Sequence, residues 1–198
     1  MGLSHSPTIV TDGLVLCLDA ADKRSYPGTG TTWTDRSGNN HHGPLTNGPA
    51  FTSDNGGILT FDGTDDYMQM TTSPTFKSIE VWAKYNNVGQ TGWKYFFDAR
   101  TGISDGYWTI VGNYQSSAFN IYKNAIPVTR QWGFTAYEWT HMYFYSDGTA
   151  YTDDIVFCSR YTIQERTGFS ISQIRMYDKV LSADEVRRNY LATKGRFQ

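Results

Sequence analysis

One stretch near the end of the chain decides the fold: S-I-S-Q-I-R-M-Y-D-K-V-L-S-A-D-E-V-R-R-N-Y-L-A-T-K-G-R-F, residues 170–197. Ser182 has the side chain of an N-cap residue, and Glu185 stands three residues later, where it completes a capping box. Leu181 before the cap and Val186 after it occupy the two positions of a hydrophobic staple. The pattern therefore predicts a helix of about three turns that begins directly after Ser182.

The predicted helix is too short to persist without a tertiary partner. Its apolar side consists of Val186, Tyr190 and Leu191, and isolated helices of fewer than about 12 residues are marginal in water. The residues before it, including Ile174 and Met176, have the apolar character of a strand. We therefore expect a β-sheet that is closed by a final strand, a turn and this helix.

Length and composition indicate one domain of the all-β class. A chain of 198 residues buries about 70% of the surface that it exposes when unfolded, so it needs no disulfide or metal for stability. Aromatic residues make up 16% of the sequence and there are 19 glycines, a mixture typical of sandwiches with many tight turns. We predict an N-terminal arm over residues 1–12 and a single domain over residues 13–198.

Charge and hydropathy argue against several classes of partner. The net charge is −2 and no run of Lys and Arg occurs, so the sequence predicts no contact with nucleic acid. No apolar stretch reaches the ~18 residues that a membrane helix needs, and the first residues lack the pattern of a secretion signal. For Cys17 and Cys158, this setting favours two free buried thiols over a disulfide.

Short strands separated by turns follow one another along the chain. The dipeptide Asp147-Gly148 lies between two of them and is typical of a tight hairpin turn. Residues 21–50 form a long irregular segment, either functional or packed as a fixed lid, with Trp33 as its anchor. The pattern predicts two packed antiparallel sheets, with strands at 15–18, 58–61, 67–70, 76–85, 93–99, 107–111, 118–122, 139–145 and 150–157.

Five motifs, in this order, carry a resemblance to a known family. They are G-L-V-L-C-L-D-A-A-D (13–22), Y-P-G-T-G-T-T-W-T-D-R-S-G-N-N (26–40), L-T-F-D-G-T-D-D-Y (59–67), S-I-E-V-W-A-K (78–84) and R-M-Y-D-K-V-L-S-A-D-E-V (175–186). They resemble the concanavalin A-like lectin/glucanase superfamily and, more narrowly, its laminin-G-like modules. The resemblance spans most of the chain and is weakest over residues 86–165. It implies an all-β fold, a two-sheet antiparallel jelly-roll sandwich with one short C-terminal helix.

The same resemblance extends to virion proteins of tailed bacteriophages, which open with a similar block close to Met and end near K-G-R-F. It implies a non-enzymatic structural protein of the particle, either a capsid decoration protein or a tail or fibre component. Its partners would be other virion proteins and further copies of itself in a homo-oligomer. We expect it in the virion, after assembly in the host cytoplasm, which agrees with the absence of a recognisable secretion signal.

Catalysis has to be weighed because the superfamily includes glycoside hydrolases. Retaining glycosidases need two carboxyl groups about 5–5.5 Å apart, which acids at positions i and i+2 of a strand satisfy most simply. No two of the four Glu and fifteen Asp residues have this spacing. Glu80 is the lone candidate, and we expect it on the outer face of its strand, beside Trp82, paired with Lys84 or a neighbour. The sequence predicts no enzyme and no catalytic residue.

Calcium is the one metal for which the sequence offers candidate ligands, and no other cofactor is indicated. Calcium takes six to eight oxygen ligands, often from a loop rich in Asp. Asp62, Asp65 and Asp66 in the turn F-D-G-T-D-D-Y are the candidate ligands. The alternative, which we favour, is that Asp62 shapes the turn and the other two bind its backbone amides.

The richest candidate for ligand binding is the aromatic run over residues 132–145. Exposed Trp and Tyr rings stack on sugars while polar side chains fix hydroxyl groups. Strand aromatics also fill sandwich cores and subunit interfaces, and this alternative is favoured. The candidate sugar-binding residues are Trp132, Tyr137, Glu138, Trp139 and His141.

Three functions follow from these patterns. The first is the virion structural protein, which works through protein–protein contacts and contacts with the cell surface. The second is a carbohydrate-binding adhesin, a lectin-like module that recognises host surface polysaccharide. The third is a glycoside hydrolase, which the missing acid pair disfavours.

Replacement of Ser182 by Ala tests the predicted helix cap. Ser182→Ala removes the side-chain acceptor at the first turn, so the free energy of unfolding should fall by about 1 kcal/mol. Urea denaturation measures this change. A specific loss of ligand binding at unchanged stability would instead place the segment in a binding site.

Overall fold

Two packed β-sheets and one helix make up the part of the chain that the structure describes. The computed structural model describes residues 7–70, 72, 74–86, 95–99, 109–111, 114–115, 120–128, 134–145, 150, 152, 154–160, 162–163 and 165–198. The strand pairs of both sheets are antiparallel, and an α-helix follows the last strand. The predicted all-β sandwich with one short C-terminal helix is therefore confirmed. No helix within the described residues has the length and apolar character that a membrane crossing needs.

The larger sheet is organised around its long last strand. This strand pairs with Ser78–Tyr85 on one side, and two shorter strands share its other side. Numbered in chain order, the strands of this sheet run β12 (Ile126–Val128), β11 (Asn120–Lys123), β13 (Trp139–Tyr145), β7 (Ser78–Tyr85), β15 (Phe169–Tyr177), β5 (Ile58–Phe61) and β4 (Ala50–Thr52), with β1 (Leu14–Asp19) also paired to β15.

The smaller sheet includes two short strands from the long irregular segment 21–50. Trp33 in the first of them is fully buried, so this segment is packed against the body and Trp33 anchors it as predicted. The strands of this sheet run β10 (Tyr114–Gln115), β9 (Thr109–Val111), β8 (Tyr95–Asp98), β14 (Ile155–Phe157), β6 (Tyr67–Met70), β3 (Gly43–Thr46) and β2 (Thr32–Trp33).

The hairpin predicted at Asp147-Gly148 is wrong. The flanking strands lie in different sheets: β13 pairs with β7 and β11, whereas β14 pairs with β6 and β8. Both strands are buried almost throughout, so each is an inner strand with a neighbour on both sides. A local turn signal carries no information about these partners, and Asp147 and Gly148 themselves lie outside the described residues.

The main core fills the space between the two sheets. Ile79, Val81 and Ala83 of β7 are fully buried in it, as their alternation predicts, and Met142 and Phe144 of β13 join them. A second apolar cluster, the outer cluster, lies on the opposite face of the larger sheet. Its buried members are Val10, Tyr143, Tyr177, Leu181 and Val186.

Helix α1 (Ala183–Thr193) lies across this outer face. Its first turn has the predicted capping box: Ser182 Oγ accepts a hydrogen bond from Glu185 N at 3.3 Å, and Ser182 N donates to Glu185 Oε2 at 2.8 Å. Leu181 and Val186 are both buried in the outer cluster. The sequence therefore predicted correctly where and how this helix begins.

The packing side of α1 differs in part from the predicted one. Val186 is buried as predicted, but Leu191 is 37% exposed, and Asn189 and Thr193 are the other buried positions of the helix. The indole Nε1 of Trp82 donates to Thr193 Oγ1 at 2.8 Å. The same indole ring stacks on Phe197, with the centroids 4.1 Å apart. Polar residues line the helix here because the sheet surface beneath them is itself polar.

A buried carboxylate, Glu80, lies at the centre of the contact between α1 and the sheet. Its side chain is 1% exposed, and Oε1 lies 2.5 Å from His141 Nε2 of β13. Oε2 accepts a hydrogen bond from Asn189 Nδ2 of α1 at 2.8 Å. From β15, Arg175 Nη1 and the Tyr177 hydroxyl donate to the same oxygen at 3.5 and 3.4 Å. One side chain thus joins three strands and the helix.

Glu80 is therefore paired with residues of the neighbouring strands, His141 and Arg175, which is one of the two predicted alternatives, and not with Lys84. Glu80 is on the outer face, but α1 covers that face, and Lys84 Nζ instead lies 5.5 Å from the ring centre of Trp139. Burial alone would raise the pKa of Glu80. The charge of Arg175 and the hydrogen bond from His141 outweigh it and hold the pKa below its ordinary value of 4.5. Glu80 is thus ionised, and its burial keeps it from touching a substrate.

Both cysteines are free thiols, as the sequence favours. Cys17 lies in β1 of the larger sheet and is only partly buried, whereas Cys158 follows β14 of the smaller sheet and is fully buried. The expected burial is therefore correct for Cys158 and only partly so for Cys17.

Glu80→Gln tests the buried network. Glutamine keeps the volume but leaves Arg175 buried without its counter-charge, so the free energy of unfolding should fall by about 3 kcal/mol or more. Urea denaturation measures the loss. Glu138→Gln makes the same change on an exposed side chain and should alter stability by less than about 0.5 kcal/mol.

The same carboxylate makes stability depend on pH. Because the folded pKa of Glu80 lies below its unfolded value, its contribution is complete above about pH 4.5 and is lost as the pH falls through the folded pKa. Below that pH, the wild type should lose stability more steeply than Glu80→Gln. Parallel declines of the two proteins would contradict this assignment.

Candidate binding cleft

A cleft of about 530 Å³ opens on the outer face of the larger sheet, beside the C-terminal end of α1. Its floor comes from β1 and β15, one wall from α1 and the 3₁₀ turn Lys194–Arg196, and the other from the segment after β1. The volume lies in the range of about 300–1,000 Å³ that small-molecule sites occupy. Its charged lining consists of Asp19, Asp22, Arg24, Arg36, Arg175 and Arg196.

Asp19 and Arg196 hold the wall that α1 contributes. Asp19 Oδ1 accepts a hydrogen bond from Arg196 Nη1 at 3.0 Å, and Oδ2 accepts one from Gln173 Nε2 at 2.7 Å. Arg196 also donates to the carbonyl of Asn55 at 2.8 Å and to Ser172 Oγ at 2.6 Å. All three guanidinium nitrogens therefore have partners, and Arg196 fixes the end of the chain against the sheet.

Arg175 lies in the floor of the cleft and is 3% exposed. Its Nη2 donates to Gln173 Oε1 at 2.8 Å, and its Nη1 faces Glu80 beneath the floor. Its Nε has no hydrogen-bond partner in the described part of the chain. Burial raises the pKa of the Cys17 thiol, against the lowering effect of Arg175, so a neutral group lines the floor beside the guanidinium. An unpaired buried donor costs about 1–3 kcal/mol, and the residue that carries this donor lines the floor of the cleft.

Asp22, Arg24 and Arg36 form the rim. Arg24 binds the Asp22 carboxylate through Nε and Nη2, both at 3.1 Å, and Arg36 Nε lies 3.5 Å from the same group. The hydrogen bonds from Arg24 lower the pKa of Asp22. The Arg24 side chain is 75% exposed and that of Arg36 is 35% exposed. Two guanidinium groups thus stand at the entrance with a single carboxylate between them.

The cleft has a charge of opposite sign to that of the whole protein. Four arginines against two aspartates give its lining a net charge of +2, whereas the chain carries −2. Glu80 beneath the floor reduces the local excess to +1. A concave surface with charge of one sign concentrates ligands of the opposite sign, so this cleft favours anions.

The predicted sugar-binding residues do not form one surface. Tyr137 and Glu138 are exposed in the turn before β13, and Tyr137 is 65% exposed. Trp139 is half-buried and packs on Phe197, with ring centres 5.0 Å apart. His141 is fully buried against Glu80, so a sugar at the surface does not reach its ring.

Trp132, the remaining residue of that prediction, lies outside the described residues. The structure therefore leaves Tyr137, Glu138 and one edge of Trp139 accessible at the start of β13. A sugar-stacking role for this surface stays a prediction.

The three predicted calcium ligands come together in the turn between β5 and β6. Carboxylate oxygens of Asp62, Asp65 and Asp66 lie within 4.8 Å of one another. Asp62 Oδ1 accepts hydrogen bonds from the backbone N–H groups of Thr64, Asp65 and Asp66, at 2.7, 3.3 and 3.4 Å. Burial raises the pKa of Asp62, but these amides outweigh it and lower the pKa. Asp62 thus shapes the turn, as the favoured alternative expects, and Asp66 Oδ2 accepts from the backbone N–H of Asp62 at 3.1 Å. A calcium site stays a prediction.

Sequence patterns did not reveal the cleft because its lining comes from distant segments. Asp19, Asp22 and Arg24 stand near the start of the chain, and Arg175 and Arg196 near its end. One signal was available: Arg175 interrupts an apolar strand, I-R-M-Y, where a charged residue needs a specific partner. Arg175 belongs both to the buried network around Glu80 and to the floor of the cleft.

Comparisons with known proteins place the fold. No family model matches the sequence, and no curated protein matches it. Solved structures do match. The receptor-binding domain of a botulinum neurotoxin C/D mosaic serotype has a TM-score of 0.61 at 12% identity over 91% of this chain and 51% of that one. A mutant Trypanosoma rangeli sialidase with trans-sialidase activity has a TM-score of 0.59 at 11% identity, over 96% of this chain and 35% of that one.

A third match covers a whole domain. Domain 4 of AbnA, a GH43 extracellular arabinanase from Geobacillus stearothermophilus solved in complex with arabinotriose, has a TM-score of 0.59 at 15% identity. The match covers 90% of this chain and 98% of that domain. The chain spans about half the length of the neurotoxin domain and about a third of the sialidase. At these identities the comparisons show a shared β-sandwich fold.

Asp62→Ala tests the role of the acidic turn. The change removes the acceptor of three backbone hydrogen bonds and should lower the free energy of unfolding by about 1–3 kcal/mol. Asp62→Asn keeps an acceptor oxygen and should cost less than half as much. Thermal unfolding without calcium measures both, and equal losses would contradict the turn-shaping role.

Proposed function

We propose that this chain is a non-catalytic carbohydrate-binding module and that the cleft beside α1 is its ligand site. The observation that carries the proposal is the cleft itself: about 530 Å³, with walls of Asp, Arg and Gln side chains held in place by mutual hydrogen bonds. Saccharides are bound by such fixed planar polar groups, which exchange hydrogen bonds with hydroxyls at little entropic cost.

The fold comparisons support a binding module over an enzyme. AbnA domain 4 was solved with arabinotriose, and the neurotoxin matches are named as receptor-binding domains. The candidate catalytic carboxylate, Glu80, is 1% exposed beneath α1, which argues against the hydrolase alternative. A reducing-end assay on any glycan that binds is expected to detect no cleavage, and released sugar would revive that alternative.

The proposal is tested by glycan binding to matched variants. The wild type is screened on a glycan array, and the best oligosaccharide is titrated by calorimetry. Ala192→Phe places a ring in the cleft, because Ala192 lines it, and should weaken binding at least tenfold. Ala183→Phe makes the same change at an exposed position of the same helix and should leave affinity unchanged.

A third variant separates the cleft from the aromatic surface predicted at the start of β13. Tyr137→Ala should leave the affinity unchanged if the cleft is the site. A loss with Tyr137→Ala, together with full binding by Ala192→Phe, would move the site to Tyr137 and Trp139. No binding to any saccharide by the folded wild type would contradict the proposed function.

We further propose that the module belongs to a tailed-bacteriophage particle, as a capsid decoration protein or a tail or fibre component that self-associates and contacts host surface polysaccharide. The sequence resemblance to virion proteins of tailed bacteriophages is the support for this setting. A mass-spectrometric inventory of purified particles of the phage that encodes the chain tests it. Its absence from those particles would contradict the virion role and leave the binding module standing.

A further inference from the structure

We infer that the cleft selects acidic saccharides, with a carboxylate or sulfate group of the sugar bound between the floor and the rim arginines. This inference rests on the proposed function and adds the chemical class of the ligand. It is carried by the positions of Arg24, Arg36 and Arg175, by the charge that they bring to the cleft, and by the absence of aromatic side chains from the described lining.

The first argument is the balance of charge. The lining keeps an excess positive charge even when Glu80 beneath the floor is counted, in a protein whose net charge is −2. Arg196 is engaged through every guanidinium nitrogen, so the excess resides on the floor and the rim. A neutral sugar has no charge with which to balance it.

The second argument is the unmet donor in the floor. Arg175 is 3% exposed, and its Nε has no hydrogen-bond partner among the described residues. A buried guanidinium N–H forms its strongest hydrogen bond with an anionic oxygen. Because Arg175 lines the cleft, its guanidinium attracts an anionic oxygen at the floor more strongly than it attracts a hydroxyl group.

The third argument is the geometry of the rim. Arg24 already holds the Asp22 carboxylate through two N–H groups, a fork arrangement that matches planar acids. Arg36 reaches the same carboxylate only through Nε, at 3.5 Å. The Arg36 side chain is 35% exposed, so its remaining donors are available to an acid that enters the cleft.

The test compares acidic saccharides with neutral counterparts of the same size. Trigalacturonate is titrated against its carboxyl-reduced form, sialyllactose against lactose, and a sulfated galactotriose against galactotriose. The first two pairs test a carboxylate group and the third tests a sulfate group, so the comparison shows which anionic group the cleft binds. We expect the acidic member of at least one pair to bind about tenfold or more tightly at about 50 mM salt, with the difference shrinking at about 500 mM.

Arg36→Gln is the decisive variant. It removes a rim charge while the backbone bond from Arg36 N to Cys17 O, 2.8 Å long, is kept, so the fold is expected to persist. Affinity for the acidic saccharide should fall about tenfold, the loss expected for a charged hydrogen bond, and affinity for the neutral counterpart should change less than twofold. Arg187→Gln makes the same charge change at an exposed position of α1 and should have no effect.

The outcomes separate this inference from the function on which it rests. Equal binding of acidic and neutral saccharides, or an acidic affinity unaffected by Arg36→Gln, overturns the acidic selectivity and leaves the carbohydrate-binding function in place. No binding of any saccharide overturns both. Thermal unfolding of each variant shows that a lost affinity comes from the cleft and not from a lost fold.

Discussion

The carboxylate of Glu80 is the constraint on which the rest of the structure depends. A buried charge is tolerated only when its oxygens are satisfied, and the partners of Glu80 come from β13, β15 and α1. His141, Arg175 and Asn189 therefore have to meet at one point. That requirement fixes where the helix lies on the sheet more sharply than its apolar contacts alone, because Val186 is the one fully buried apolar side chain within α1.

The cleft follows from this arrangement. Once α1 is fixed over β7 and β15, its last turn and the 3₁₀ turn after it stand beside β1, and the uncovered part of the sheet becomes the floor. Arg175 belongs to both systems, since one end of its guanidinium contacts Glu80 and another contacts Gln173. Asp19 and Arg196 then complete the wall. The stabilising network and the proposed binding site thus share residues.

The sequence predicted what is encoded locally. Strands Tyr67–Met70 and Trp139–Tyr145 have the bounds that their patterns indicated, and the helix begins at its cap. The sequence did not reveal which distant strands and side chains contact one another. A turn signal at Asp147-Gly148 suggested a hairpin between two strands that belong to different sheets. Glu80 looked like a surface residue because the alternation of side chains along β7 places it on the outer face of the sheet. The alternation does not show that α1 covers that face. The cleft escaped for the same reason, because five separate segments line it.

The pairing of the first and last strands has a mechanical consequence. β1 and β15 are antiparallel neighbours, and Leu14 opposite Tyr177 is the end of the pair from which both chain ends leave. Once α1 has detached, tension applied through the two termini acts on this end of the β1–β15 pair. It therefore breaks the hydrogen bonds between the two strands one after another, and does not load them all together in shear. Cys17 and Asp19 of β1 lie opposite Arg175 and Gln173 of β15 in that ladder. The strands that open first under load are thus the strands that form the floor of the cleft, so a pulled molecule would lose the proposed binding site before the sandwich itself comes apart.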